Sequence, residues 1–160
     1  MVLRKLPSSL ALVLMGALGG CTHRLQPADL SVAPVWYRAD TVTILRNLGQ
    51  PSRREREDYG PLGSLTTWFY PHLVLKFQGG AWCDQIQLLD STDYTPRGVR
   101  VGDAVAAVLR AYGRPAGRGK YGDSLWVWYD GPKPWQAIVF VAVRDTVRRI
   151  TIGQRAFTFM

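Results

Sequence analysis

"VAAVLRAYGRP" (residues 105–115) decides how this chain is read, because a second version stands upstream as "TVTILRNLGQP" (41–51). Leu45-Arg46 falls on Leu109-Arg110, Gly49 on Gly113 and Pro51 on Pro115. The correspondence runs on in the same order with small gaps. Tyr59-Gly60 matches Tyr121-Gly122, "WFY" (68–70) matches "VWY" (127–129), "LVLKF" (73–77) matches "QAIVF" (136–140), and "DQIQL" (84–88) matches "RRITI" (148–152). Landmarks repeated in one order indicate an internal duplication.

Each copy opens with a helix. Val105, Val108, Leu109 and Tyr112 follow the i, i+3, i+4, i+7 spacing of one buried stripe, as do Thr41, Ile44, Leu45 and Leu48. Asp40 and Asp103 stand at N-cap positions. Gly49 and Gly113 end the helices, and a proline two residues on prevents their return. Three β-branched, aromatic strands follow, in copy two "SLWVWYD", "QAIVFVAV" and "TVRRITIG", bounded by Gly, Pro and Asp. The expectation is an α+β fold of two tandem α-β-β-β repeats, 36–90 and 98–153. Their helices would lie on one face of antiparallel sheet, with "STDYTPR" (91–97) as the joint. A lone three-stranded unit is marginal, so the sheets are expected to join edge to edge over a shared core.

The N-terminus has a separate logic. Arg4 and Lys5 precede an apolar stretch, Leu10 to Leu18, and then Gly19, Gly20 and Cys21. A basic start, a short apolar run and a small-residue end describe a secretory signal over residues 1–20. The run is too short for a permanent membrane span. Residues 21–35, with two prolines and little apolar periodicity, read as a flexible tether. The other cysteine, Cys83, reads as a packing residue in "AWCDQIQLL"; the rival reading is a Cys21–Cys83 disulfide in an exported protein.

Leu18-Gly19-Gly20-Cys21 resembles the bacterial lipobox. That resemblance implies diacylglyceryl attachment to Cys21, cleavage before it and further acylation (palmitate). With Thr rather than Asp at position 22, it implies a Gram-negative outer membrane, the domain facing the periplasm. "GVRVGDAVAAVLRAYGRP…YGDSLWVWYD" resembles the SmpA/OmlA (BamE-like) family of small outer-membrane lipoproteins. Gly102, Val105, Leu109, Gly113 and Pro115 carry the helix part, and Trp68-Phe69-Tyr70 and Trp128-Tyr129 the strand part. That family carries one copy where this chain has two. Tandem copies resemble the fold of the β-lactamase inhibitory protein, whose joined sheet grips an enzyme.

Strand alternation divides the side chains between two faces. Leu73, Leu75, Phe77, Ile86, Leu88, Tyr129 and Ile150 are expected to face the helices. Phe69, Lys76, Trp126, Trp128 and Arg149 are expected on the outer face, together with Gln85, Gln87 and Thr151. Trp, Tyr and Arg dominate protein-binding hot spots, so the first five form the candidate binding surface. The rival reading is that this face packs on other parts of the chain.

The 160 residues are 47% hydrophobic and 20% charged, which suits one domain or two very small ones. A net charge of +8 admits nucleic acid, anionic lipid or an acidic protein as partner. The charges are scattered, apart from the mixed run "RRERE" (53–57), so no basic stripe supports nucleic-acid binding. There are only two histidines, no metal-ligand spacing and no nucleophile elbow. "GRPAGRGKYGDS" (113–124) follows a helix rather than linking a strand to one and lacks the G-K-[ST] of a phosphate loop. These absences give the expectation of a non-enzymatic, cofactor-free module. It would be lipid-anchored through Cys21 and would bind an envelope protein, in outer-membrane assembly or maintenance. The alternative is an inhibitor of a periplasmic or secreted hydrolase.

Overall fold

The structure, a computed structural model, describes residues 24–155. The signal segment and Cys21 lie outside the described residues.

Helix α1 (Thr41–Leu48) is followed by strands β3 (Arg53–Asp58), β4 (Ser64–Phe69), β5 (Leu73–Gln78) and β6 (Gln85–Leu88). Helix α2 (Val105–Tyr112) is followed by β7 (Gly117–Tyr121), β8 (Ser124–Asp130), β9 (Gln136–Val143) and β10 (Thr146–Gln154). A small hairpin, β1 (Ser31–Val32) and β2 (Val35–Trp36), precedes both. The eight main strands form one antiparallel sheet in the order β3-β4-β5-β6-β10-β9-β8-β7. The last strand of each half meets the other's at the centre, Ile150 opposite Leu88 and Gly153 opposite Gln85.

The α+β expectation is overturned. The described residues are mostly β, 46% strand against 17% helix with the short 3-10 turns counted, and each α-helix has only eight residues. Each half also has four strands where three were expected. The missed strands are the two edges. β3 is "RRERED", exposed throughout, and β7 is "GRGKY". Neither carries the apolar alternation that marks a half-buried strand. A short, charged edge also discourages pairing with another chain.

Residues 24–35 differ from a tether. Leu25, Leu30, Val32 and Val35 are buried in the main core. Leu25 N–H donates to the Asp130 carbonyl (3.2 Å). Arg97 clamps Asp29 through two bonds of 2.7 Å. The apolar residues here follow a turn-rich path rather than a helix or strand period, which hid them.

One core serves both halves. Inner-face residues run across the sheet as Trp68, Leu75, Ile86, Ile152, Ile138 and Tyr129, each opposite the next. Ile44 of α1 and Val105, Val108 and Tyr112 of α2 join the same cluster. Corresponding bonds recur in the two halves. Tyr70 donates its hydroxyl to the Gly49 carbonyl (3.1 Å), and Tyr129 to that of Gly113 (2.9 Å). Arg38 N–H donates to Cys83 O as Gly102 N–H does to Val147 O. Arg38 (φ 69°) even holds the left-handed conformation of Gly102 (φ 101°). Asp40 caps α1 as expected, accepting from Thr43 N–H at 2.8 Å. Asp103 instead accepts from Arg100 N–H, and Ala104 occupies the N-cap of α2.

Candidate functional site

On the face turned away from the helices, opposed residues run Arg53, Phe69, Val74, Gln87, Thr151, Val139, Trp128 and Gly117. A parallel row brings together Arg149, Val141, Trp126 and Gly119, and Lys76 stands opposite Gln85. All five sequence-predicted surface residues therefore share one face. A bulge between Val147 and Arg149 makes this possible, because Val147 and Ile150 can both enter the core while Arg149 turns outward.

The five form two groups. Trp126 and Trp128 pack on Val139, Val141 and Ala137. The Arg149 guanidinium lies 5.4 Å from the Trp126 ring centre, and Tyr121 meets that ring edge-on at 5.4 Å. Trp128 lies over Gly117, where a Cβ would fall 2.0 Å from the ring. Phe69 and Lys76 belong to the other half, with the Arg53 guanidinium 4.0 Å over Phe69. Five strand steps separate Phe69 from Trp128, about 24 Å. All five residues are half-buried.

A second feature, missed from the sequence, sits at one end of the sheet. Trp36 ends β2, Trp82 stands in the β5–β6 loop and Trp135 in the β8–β9 loop, with exposures of 47%, 46% and 52%. The Arg38 guanidinium lies 5.8 Å from the Trp82 ring and pairs with Asp84 at 2.7 Å. A cleft of about 340 Å³ opens beside Trp36, lined by Leu30, Trp36, Tyr37, Arg38, Lys133 and Gln136, among others. Burial, with Asp84 nearby, raises the Tyr37 pKa, so the phenol remains a neutral donor and acceptor at neutral pH. The available signal was local: "GGAWCD" and "PKPWQ" place a tryptophan in Gly- or Pro-rich turns, where no strand alternation can bury it.

Cys83 is fully buried, its thiol 3.4 Å from the Gln85 carbonyl, and burial pushes its pKa up to about 12. Such a thiol is inert at neutral pH. His72 Nε2 lies 3.3 Å from Asp93, at the turn between β4 and β5. Residues 117–121 of the glycine-rich loop form β7. Among the described residues no group of three or more His, Cys, Asp or Glu could hold a metal ion. None of their helices is long and apolar enough to cross a membrane.

No family model matches the chain, and no curated protein does. Two solved structures are similar. One is an extracellular protein containing a SCP domain from Bacillus anthracis, at 10% identity and a TM-score of 0.53, over 77% of this chain. The chain spans 45% of that protein's length. The other is a DUF4309 family protein from Bacillus subtilis, at 12% identity and a TM-score of 0.48, covering 78% of this chain and 82% of that one. The first is a likeness of fold alone.

Proposed function

We propose that this chain is a non-catalytic bacterial lipoprotein. It is anchored through Cys21 to the outer membrane and binds another envelope protein on the outer face of its joined sheet. Support for the anchor comes from the lipobox-like Leu18-Gly19-Gly20-Cys21 after a basic, then apolar, start. The SmpA/OmlA-like motif favours the same compartment.

One observation carries the binding role: Arg149, Trp126 and Tyr121 stack together on that face, with Arg53, Phe69 and Lys76 on its other half. Prepacked aromatic and guanidinium groups lose little side-chain entropy on association. They suit a partner offering apolar and acidic groups.

The test is site-specific photo-crosslinking in cells. Cross-linkers replacing Phe69, Lys76 and Arg149 should trap one common envelope protein. A cross-linker at Val42 of α1, which is 63% exposed, should not. Equal trapping from Val42, or different products from every site, would remove the sheet as the binding face. Mass spectrometry of the native chain should find a diacylglyceryl adduct on Cys21.

A further inference from the structure

We propose that the tryptophan-bearing end of the sheet is a membrane-docking surface, seated in the headgroup layer of a bilayer that contains anionic phospholipid. This deepens the anchored-lipoprotein reading and rests on it.

The argument begins with distance. Arg24 is three residues from Cys21, so an extended chain between them spans at most about 11 Å. Arg24 is not free to swing away. Its Nε donates to the Gly131 carbonyl at 3.1 Å, and Leu25 beside it is buried and bonded to Asp130. An acyl chain on Cys21 therefore holds the β8–β9 loop within roughly a headgroup layer of the membrane. Only this end of the sheet can be so close.

That end has the chemistry the position demands. Indole rings favour the bilayer interface, where an apolar ring and a polar N–H are both satisfied. Trp36, Trp82 and Trp135 are each about half exposed here, Trp36 at the end of the short β1–β2 hairpin and the other two in loops of the main sheet. The nearby charged groups are Arg24, Arg38, Lys133 and Arg155 against Asp84, Asp130 and Asp40, whose backbone bridges to Trp82. Asp84 pairs with Arg38 and Asp130 with Arg155. The balance is positive, with Lys133 exposed at the cleft mouth. Clustered basic residues beside an anchor are drawn to anionic headgroups. The two acyl chains of a diacylglyceryl group already hold Cys21 at the membrane, and the surface contact fixes the orientation of the domain there. The strands then stand on the membrane by their ends, and the outer sheet face is turned sideways toward a partner.

The experiment uses the mature chain with its native Cys21, reconstituted in phosphatidylethanolamine–phosphatidylglycerol vesicles with brominated acyl chains. Tryptophan fluorescence should be quenched. In Trp36→Phe/Trp82→Phe/Trp135→Phe, which keeps Trp68, Trp126 and Trp128, most of the fractional quenching should disappear. Unchanged fractional quenching, or none in the parent chain, overturns the proposal. Loss of a cross-linked protein partner in the triple variant, with no quenching in the parent, assigns the end to a protein and also overturns it. A second arm removes the anchor. The Cys21→Ala chain should sediment with the same vesicles at low salt, and Arg24→Glu/Lys133→Glu should sediment several-fold less. Equal sedimentation of the two counts against the surface. The mass of native Cys21 reports on lipidation independently, so failure of the anchor and failure of the surface give different results.

Discussion

A single hydroxyl in each half closes a helix end. Gly49 and Gly113 terminate α1 and α2 in the left-handed region, and their carbonyls turn toward the sheet. Tyr70 and Tyr129 donate to those carbonyls, which links the helix-ending Gly-x-Pro and the "WFY"/"VWY" landmarks physically. Burial pushes the Tyr129 phenol up to about 12, so it stays protonated and donates throughout the physiological range. Tyr129→Phe keeps the ring packed against Tyr112 and Phe140 and removes only the bond. It should cost about 1–2 kcal/mol, since a buried carbonyl loses its donor. Urea denaturation measures this, and a midpoint equal to that of the parent would show the bond to be unimportant. Gly102 illustrates what one residue conceals. Copy one has Arg38 at the matching place, which hides the equivalence in the letters, yet both adopt positive φ.

At the scale of elements, the N-terminal segment is held as firmly as a strand. Asp29 accepts from Arg97 twice and from Gln26 N–H, and its side chain is 7% exposed. Arg97→Ala leaves that carboxylate buried without its counter-charge, which should cost about 3 kcal/mol. Hydrogen exchange at Leu25 and Tyr37, whose amides bond to Asp130 and Leu30, should quicken in this variant. Exchange as slow as in the parent would mean that Leu25 and Leu30 anchor the segment unaided. The legible elements were those whose burial leaves a period. The apolar stripes gave α1 and α2, and alternation gave β4, β5, β6, β8, β9 and β10 with correct faces. β3 and β7 left no such trace, because an edge strand with one pairing partner needs no apolar face. Residues 24–35 left none because Leu25 and Leu30 reach the core from irregular backbone, and Val32 and Val35 from strands of two residues, too short to show a period. The tryptophan end was illegible for a related reason: it is assembled from a two-residue strand and two loops far apart in sequence. The Asp103 cap failed because that carboxylate serves a turn at Arg100 instead.

At the scale of the molecule, the two halves depend on the seam between β6 and β10. Neither half closes its own core, since inner-face rows cross the seam through Ile86–Ile152 and Leu88–Ile150. Gly153 sits on that seam opposite Gln85, with φ 140°. A Cβ there would fall 2.2 Å from the Asp84 carbonyl oxygen, and backbone cannot yield as a flexible side chain does. Gly153→Ala should therefore cost about 3 kcal/mol through clash and strain. It should also lower both halves together, because a shared core unfolds as one unit. Trp68 reports on one half and Trp128 on the other. Single-tryptophan variants retaining each should give coincident urea transitions, both shifted equally by Gly153→Ala. Two separated transitions, or a shift confined to one reporter, would mean that each α-β-β-β-β half is stable without its twin and that the seam is only a contact.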